Sequence, residues 1–422
     1  MNEIQLAMQL SELVGTIFMR IVPDHFDCTH KSLRLLFISK TNQVEIKIDN
    51  NPLEMLSLVK SAIFENKEIT VIGWNLKNLF TYVLANTNAE FEFSCNIFDL
   101  RLAECFVGLR ENEPTTFEEA VTRTKRVFGN SSWAKFKSVY QKVYLPLMTH
   151  VIPKIETCGV FEFQKRRVLF PYYQIEGQVN GRMSCNVVSD NCFNPHLLDE
   201  AKKNSMVAGN GLSFISFDYC FMEVCILAWL SKDEVLLDLV LEGDFYKKLF
   251  KLVLDKECET ESHRSFCKDI LFLPVVYGQA AITLAGRAKI KLDMAERLIL
   301  KLKELFSKLF EWVEHYPGNS GMYEDYLGRK RSFVAGEEYK YRNFIVQSPA
   351  AIFCLEKLVC LNNDLANYAK LAAHIYDGYV VAVEDKQVEM VKSLCIKSLE
   401  SESNILQGLK LRCNYKISKT LA

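Results

Sequence analysis

Residues 213–219 read Ser213-Phe-Ile-Ser-Phe-Asp218-Tyr219. Phe214, Ser216 and Asp218 alternate with Ile215, Phe217 and Tyr219, the period-two pattern of a β-strand, and the run ends on a carboxylate. Such a carboxylate is costly unless it is paired or bound to a cation. Glu223 follows shortly after, in a helix-like run. A second segment, Ala373-His-Ile-Tyr376-Asp377-Gly378-Tyr379-Val-Val-Ala-Val, predicts two apolar strands joined by a tight turn at Asp377-Gly378. Taken alone, Asp377 reads as readily as a turn former.

A third segment, Arg264-Ser-Phe-Cys-Lys268-Asp-Ile-Leu-Phe272-Leu-Pro-Val-Val-Tyr277-Gly278, spaces Arg264, Lys268 and Phe272 four apart, on one helix face. That pattern suits an amphipathic surface helix. It equally suits a helix whose cations neutralise a triphosphate while a ring packs on a base or sugar.

Outward from these segments, residues 1–108 alternate strand and helix. Residues 33–39 and 43–48 read as strands across Thr41-Asn42, 53–65 as a helix, 68–74 as a strand and 76–84 as a helix. A mixed sheet flanked by helices is expected. Thr116 with Glu119 is a capping signature, and 133–156 a long amphipathic run strained by Pro146 and Pro153. Residues 168–422 alternate strands with long helices such as 293–315 and 350–368.

The 422 residues, 49% hydrophobic and 24% charged, exclude a disordered or fibrous chain. With 51 basic and 52 acidic side chains the net charge is −1, which argues against nucleic-acid binding by overall basicity. No apolar run approaches a membrane span, and the N-terminus carries no secretory pattern. The 14 cysteines lack any C-x-x-C pair and read as reduced thiols of an intracellular protein.

The three segments together resemble the DNA polymerase I family, the family A polymerases. Asp218 with Glu223 is similar to motif A, the Arg264–Gly278 run to motif B, and Tyr376-Asp377 to motif C. In the same order, Gly181-Arg182-Met183-Ser184 resembles T-G-R-[LM]-S, followed by Asn191 and Asn194-Pro195. Gly243-Asp244-Phe245-Tyr246, Gly328-Arg329-Lys330-Arg331 (for F-G-R-R-R), Asn343-Phe-Ile-Val-Gln347 (for N-x-x-V-Q) and the last strand at 409–416 complete the series. The resemblance covers about residues 140–422.

It implies a template-directed DNA polymerase using two Mg²⁺ ions, with Mn²⁺ as a substitute, for phosphoryl transfer. Asp218, Asp377 and the backbone carbonyl of Tyr219 would hold the metals. Arg264, Lys268, Phe272, Glu223, Tyr246 and Tyr277 would bind the dNTP, with Glu223 excluding a 2′-hydroxyl. Arg182, Asn191, Asn194, Gln347, Asn343, Arg329 and Tyr376 would meet the primer–template.

The match departs in places. Gly378 replaces the usual Glu of motif C and Tyr376 the usual His. Motif B has one extra residue, so the aromatic position falls on Phe272 counting from Lys268 and on Leu273 counting back from Tyr277. Phe272 is favoured, with a π-bulge near Pro274 absorbing the surplus. The N-terminal stretch resembles the family's RNase H-like 3′–5′ exonuclease domain through Gly73-Trp-Asn75-Leu-Lys-Asn78-Leu and Ile97-Phe98-Asp99-Leu100. Its chemistry is missing: only Asp24 and Asp27 stand near the first motif, Asn78-Leu79 replaces the second Asp, and no aspartate lies between Asp99 and Asp190. The thumb is short, since the G-R-M-S block arrives about 20 residues after Val160. Arg123, Lys125, Arg126, Lys135, Lys137 and Lys165-Arg166-Arg167 are expected to touch the duplex backbone.

The expected fold is a multidomain α/β right hand: a palm with an antiparallel sheet, helical fingers and an abbreviated thumb, preceded by the exonuclease-type domain. The expected divisions are 1–110, vestigial exonuclease; 111–180, helical connector and thumb; and 181–422, palm and fingers, the fingers at about 232–320. The expected protein is a monomer of a phage, plasmid or organelle replication system. It acts on primed DNA and dNTPs without proofreading, off the membrane, with a processivity partner offsetting its thumb. A single-subunit RNA polymerase and a catalytically inactive nucleic-acid-binding scaffold are the alternatives.

Overall fold

The computed structural model describes residues 3–22, 32–48, 52–87, 93–109, 111–163, 167–178, 180–241, 243–315, 321–334, 337–365 and 368–421. Leu33–Ile38 and Gln43–Ile48 form the expected hairpin, registered Ile38 to Gln43 and closed by Ser39 N donating to Asn42 O at 2.8 Å. Thr16–Val22, which the sequence reading passed over, lies between this hairpin and the parallel strands Thr70–Gly73 and Asn96–Asp99. A five-stranded mixed sheet results, with helices Pro52–Val59, Lys77–Thr87 and Leu100–Phe106 beside it.

The sheet is welded to the rest of the chain by polar contacts. Lys77 of helix Lys77–Thr87 pairs with Glu156 at 2.8 Å, both side chains buried, and Thr81 Oγ1 and Tyr173 N each donate to the same carboxylate at 2.7 Å. Every oxygen of Glu156 is thus answered, which a buried charge requires.

Thr116 caps helix Phe117–Phe128 as its pattern predicts, accepting from Glu119 N. The 133–157 run stays helical through both prolines. It does so by switching to π geometry at Tyr140–Tyr144 and Leu147–Val151 before returning to α at Ile152–Thr157. Shifted hydrogen bonds let the helix pass residues that lack an N–H donor.

The decisive strand, Leu212–Tyr219, is central in a four-stranded antiparallel sheet ordered Ala369–Ile375, Gly378–Glu384, Leu212–Tyr219, Cys413–Ser418. Both faces are covered. Ile215, Phe217 and Tyr219 join the main core, which extends into the N-terminal sheet, while Phe214, Val380 and Ala382 join a second cluster with Phe161 and Phe193. Asp218 shares the Phe214 face but lies at the strand end, beyond that cover.

One helix corrects the reading that no segment could span a membrane. Lys340–Leu365 is apolar and long enough by length and composition alone. Its apolar stretch is almost entirely buried within the fold, the environment of a core helix.

Candidate active site

Strand register builds the site. Asp218 pairs with Gly378 on one side and with Asn414 on the other, and Asp377 immediately precedes Gly378. Two carboxylates 159 positions apart in sequence therefore share one cleft of about 380 Å³, lined also by Arg182, Tyr219, Cys220, Phe221, Glu223, Tyr246, Arg264, Lys268, Leu273 and Asn414. Among the described residues no group of three or more His, Cys, Asp or Glu side chains is gathered to hold a metal. The cleft's acidic centre is the Asp218–Asp377 pair.

Burial within the cleft walls raises the Asp218 carboxyl to about 6, with the Asp377 charge adding and Lys268 opposing. Asp377 is raised too, chiefly by burial, with Arg182 and Lys268 opposing and Glu223 adding. A raised carboxyl binds its proton more tightly in the folded than in the unfolded chain. Its stabilising contribution is therefore present at low pH and lost as pH rises through about 6. Without divalent cations, Asp218→Asn is expected to unfold at a higher temperature than wild type at pH 7.5. The gap should narrow as pH falls from 7.5 to 4.5, through the folded value of about 6 toward the ordinary aspartate value of 3.8, read by thermal unfolding at both pH values; a lower midpoint at pH 7.5 would contradict it.

The hairpin turn is shifted one residue from the prediction: Ile375 pairs with Gly378, so Tyr376 and Asp377 form the loop and Gly378 opens the next strand. Tyr376 takes the left-handed conformation at φ 56°. Phe221, between Asp218 and Glu223, does the same at φ 52°. A bulky residue held there costs about 1–3 kcal/mol, and such strain concentrates at functional sites. Gly378 has its own reason. A Cβ on it would stand 2.9 Å from the Phe217 carbonyl oxygen and 3.4 Å from Asp218 Oδ1, so the strands meet this closely because no side chain intervenes.

The cationic helix contains the anticipated bulge. Glu261–Ser265 is α, Phe266–Phe272 is π, and Leu273–Val276 returns to α with Pro274 at its start. The outcome corrects the choice of Phe272. That ring is fully buried, edge-on to Phe245 at 4.9 Å and Phe306 at 5.6 Å, and Leu273 lines the cleft instead. Arg264 and Lys268 both reach the cleft. Arg264 is held by Asp244 at 2.9 Å and Glu261 at 3.1 Å, over the rings of Tyr246 and Phe221. Asp244, given no role of its own within the Gly243–Tyr246 block, also caps helix Phe245–Leu254 by accepting from Tyr246 N and Lys247 N. Its place at the head of an apolar-periodic run was a readable cap signal.

Glu223 is a hub: Gln347 Nε2 donates to Oε1 and Tyr277 OH to Oε2, each at 3.0 Å, with Arg182 3.8 Å away. Tyr376 stacks on His196 at 4.4 Å and 24°, with the Arg182 guanidinium 6.0 Å from its ring.

Other assignments move away from the cleft. Arg329 is fully buried, paired with Glu176 and donating to Tyr144 OH at 2.7 Å, so it cannot touch a primer–template. Asn194 caps the short helix Pro195–Leu197 and donates to Cys185 O, and Asn191 accepts from Phe170 N through its backbone. Asn343 lies one helical turn before Gln347, its Oδ1 buried without a hydrogen-bond partner. None of the four lines the cleft.

The basic cluster near 123–137 is largely answered within the fold. Arg123 pairs with Glu104 at 2.5 Å and Glu119 at 3.1 Å, Arg126 with Glu111 at 2.5 Å, and Lys135 with Glu324 at 3.1 Å. Lys165 and Arg166 lie outside the described residues, as do Asp24 and Asp27. At the exonuclease-like positions, Asp99 is buried and accepts from Leu76 N at 2.7 Å and Leu102 N at 3.2 Å. Asn78 accepts from Tyr172 OH at 3.1 Å.

A family model described as DNA polymerase family A matches residues 135–422. DNA polymerase I of Borreliella burgdorferi is 26% identical over 232 residues, 50% of this chain and 25% of that protein. DNA polymerase I of Chloroflexus aurantiacus is 25% identical over 244 residues, 53% of this chain and 26% of that one. The chain thus spans about a quarter of the length of these curated relatives. The solved POL domain of Pol1 from M. smegmatis, in complex with DNA primer-template and dNTP, superposes with a TM-score of 0.76 at 14% identity, covering 100% of this chain and 98% of that one. That likeness shows the fold: a right hand of palm, fingers and thumb behind a mixed α/β N-terminal unit.

Proposed function

The chain belongs to DNA polymerase family A, and from that premise we propose that it is a template-directed DNA polymerase. It extends a primer 3′-hydroxyl with dNTPs by two-metal-ion phosphoryl transfer and does not proofread. The observation that carries this is the register that sets Asp218 beside Asp377 in a cleft walled by Arg264 and Lys268.

The donor set fits hard divalent cations. Two carboxylates, each raised chiefly by burial and further by a neighbouring negative charge, are groups that a cation would relieve. Asp218, Asp377 and the Tyr219 carbonyl would hold Mg²⁺, which when bound supplies Lewis-acid stabilisation of the attacking and leaving oxygens. The chain's own residues do the rest. Lys268 faces the acidic pair, where a triphosphate would neutralise it. Arg264 is held in place by Asp244 over two rings, and a triphosphate would take over that partner's charge. Glu223, fixed through both oxygens, lines the cleft together with Tyr246 and Leu273 and would wall its sugar side. Tyr376, which stacks on His196, would meet the primer end.

The absence of proofreading is supported by Asp99 and Asn78, both spent on internal hydrogen bonds. Primed DNA and dNTPs are the partners of this reading, and the short 111–180 connector supports a need for a processivity factor. The test is extension of a labelled primer on a template by the purified chain with Mg²⁺. Extension with dNTPs but not rNTPs is expected, and a mismatched primer without dNTPs should stay at full length. No extension with Mg²⁺ or Mn²⁺ would favour the scaffold reading, and efficient rNTP use the RNA polymerase reading.

A further inference from the structure

The contacts behind Glu223 form a chain with a fixed direction. The backbone N–H of Arg182 donates to Asn180 Oδ1 at 3.2 Å, and Asn180 Nδ2 donates to Gln347 Oε1 at 3.0 Å. Gln347 Nε2 then donates to Glu223 Oε1, and Tyr277 OH closes the other oxygen, both at 3.0 Å. Side-chain amides can flip, but a peptide N–H can only donate. It draws the oxygen of Asn180 toward itself and turns the amide nitrogen toward Gln347. Gln347 must then offer its own nitrogen, not its oxygen, to the carboxylate.

The start of the chain is rigid. Asn180 is 8% exposed, in a turn closed by Gln178 N to Arg182 O and Gly181 N to Gln178 O, both at 3.1 Å. Gly181, at φ 82°, lies so near the buried Arg329 guanidinium that a Cβ would stand 2.5 Å from Nη2. Without Asn180, Gln347 regains a second orientation with its carbonyl against the Glu223 carboxylate, and repulsion would free Glu223 to swing.

We propose that Asn180 is a positioning residue for sugar selection: by orienting Gln347 it holds Glu223 against the sugar of the incoming nucleotide and so sets the preference for dNTPs over rNTPs. The proposal rests on the polymerase reading of this cleft. Asn180 itself does not line the cleft.

The test compares kcat/KM for single dNTP and rNTP additions in wild type, Asn180→Ala, Asn180→Asp, Gln347→Ala and Asn180→Ala/Gln347→Ala, with thermal midpoints alongside. Asn180→Ala is expected to lower the dNTP/rNTP ratio about tenfold, the worth of one hydrogen bond to a charged group's partner. Asn180→Asp, equal in shape but lacking the donor, should lower it at least as far, because Gln347 would turn its nitrogen away from Glu223. In the Gln347→Ala background, Asn180→Ala should change the ratio no further. A uniform slowing of both substrates with an unchanged ratio, or an effect that adds to Gln347→Ala, overturns the proposal. A wild type that adds neither nucleotide overturns the polymerase reading with it. Selective addition by wild type with the same ratio in the Asn180 variants overturns the proposal alone.

Discussion

Asp377→Asn is expected to reduce primer extension by about a thousandfold or more while leaving the chain folded. The side chains are equal in size, so the substitution removes charge and little else. That charge is opposed in the native cleft by Glu223 and coupled to Asp218, and the turn itself is held by strand pairing on either side. Neutralising it should leave the unfolding midpoint unchanged or raise it. Transition-state charge on a transferring phosphoryl group is stabilised mainly by cations, and losing a ligand that holds them is worth several kcal/mol. At about 1.4 kcal/mol per tenfold this gives the stated loss. Single-turnover extension with saturating primer–template measures it. Asp218→Ala should be equally inactive, and the double variant Asp218→Asn/Asp377→Asn little worse than either single, because the two carboxylates act as one unit. Activity within tenfold of wild type in Asp377→Asn would remove the pair from the chemistry.

The acidic pair was legible because strands advertise themselves. The alternation around Asp218 marked a strand end, and the two apolar runs flanking Asp377 marked a hairpin. Antiparallel pairing of such runs leaves few ways to arrange them. The turn itself was read one residue late, since Asp-Gly favours a two-residue loop and nothing local says that Tyr376 would accept a left-handed backbone. Phe272 and Leu273 could not be separated by counting, because the surplus residue is absorbed wherever the helix widens. Burial against Phe245 and Phe306, both remote in sequence, decided for Leu273 at the cleft.

Charge was the least legible property. Arg123 and Arg126 looked like a nucleic-acid-binding patch, but their partners Glu104 and Glu111 lie on other segments, and only the fold brings them together. The net charge of −1 therefore averages in part over internal ion pairs rather than over separate basic and acidic faces. Asn180 was invisible for a related reason. Its value lies in the direction of its amide, which depends on a backbone N–H two residues on and a glutamine 167 positions away.

Arg329→Met is expected to destabilise the protein by about 3–5 kcal/mol, the cost of leaving a buried charge without its partner. Arg329 and Glu176 are each 1% exposed by side chain, joined by two hydrogen bonds, and Tyr144 OH binds both. The guanidinium also packs 4.9 Å from the Phe106 ring, so the residue ties the N-terminal unit to the loop at 325–329. Removing the arginine leaves the Glu176 carboxylate desolvated and unpaired. Replacing both members, as in Arg329→Met/Glu176→Met, should recover much of the loss, since no charge then remains buried. Denaturant unfolding at neutral pH distinguishes the three proteins by their midpoints. Because Gly181 lies on this guanidinium, the single variant should also loosen the turn carrying Asn180 and Arg182, and its residual extension should show weakened sugar selection. The opposite result, a midpoint equal to wild type with primer–template affinity sharply reduced, would return Arg329 to the nucleic-acid interface that its G-R-K-R setting suggested.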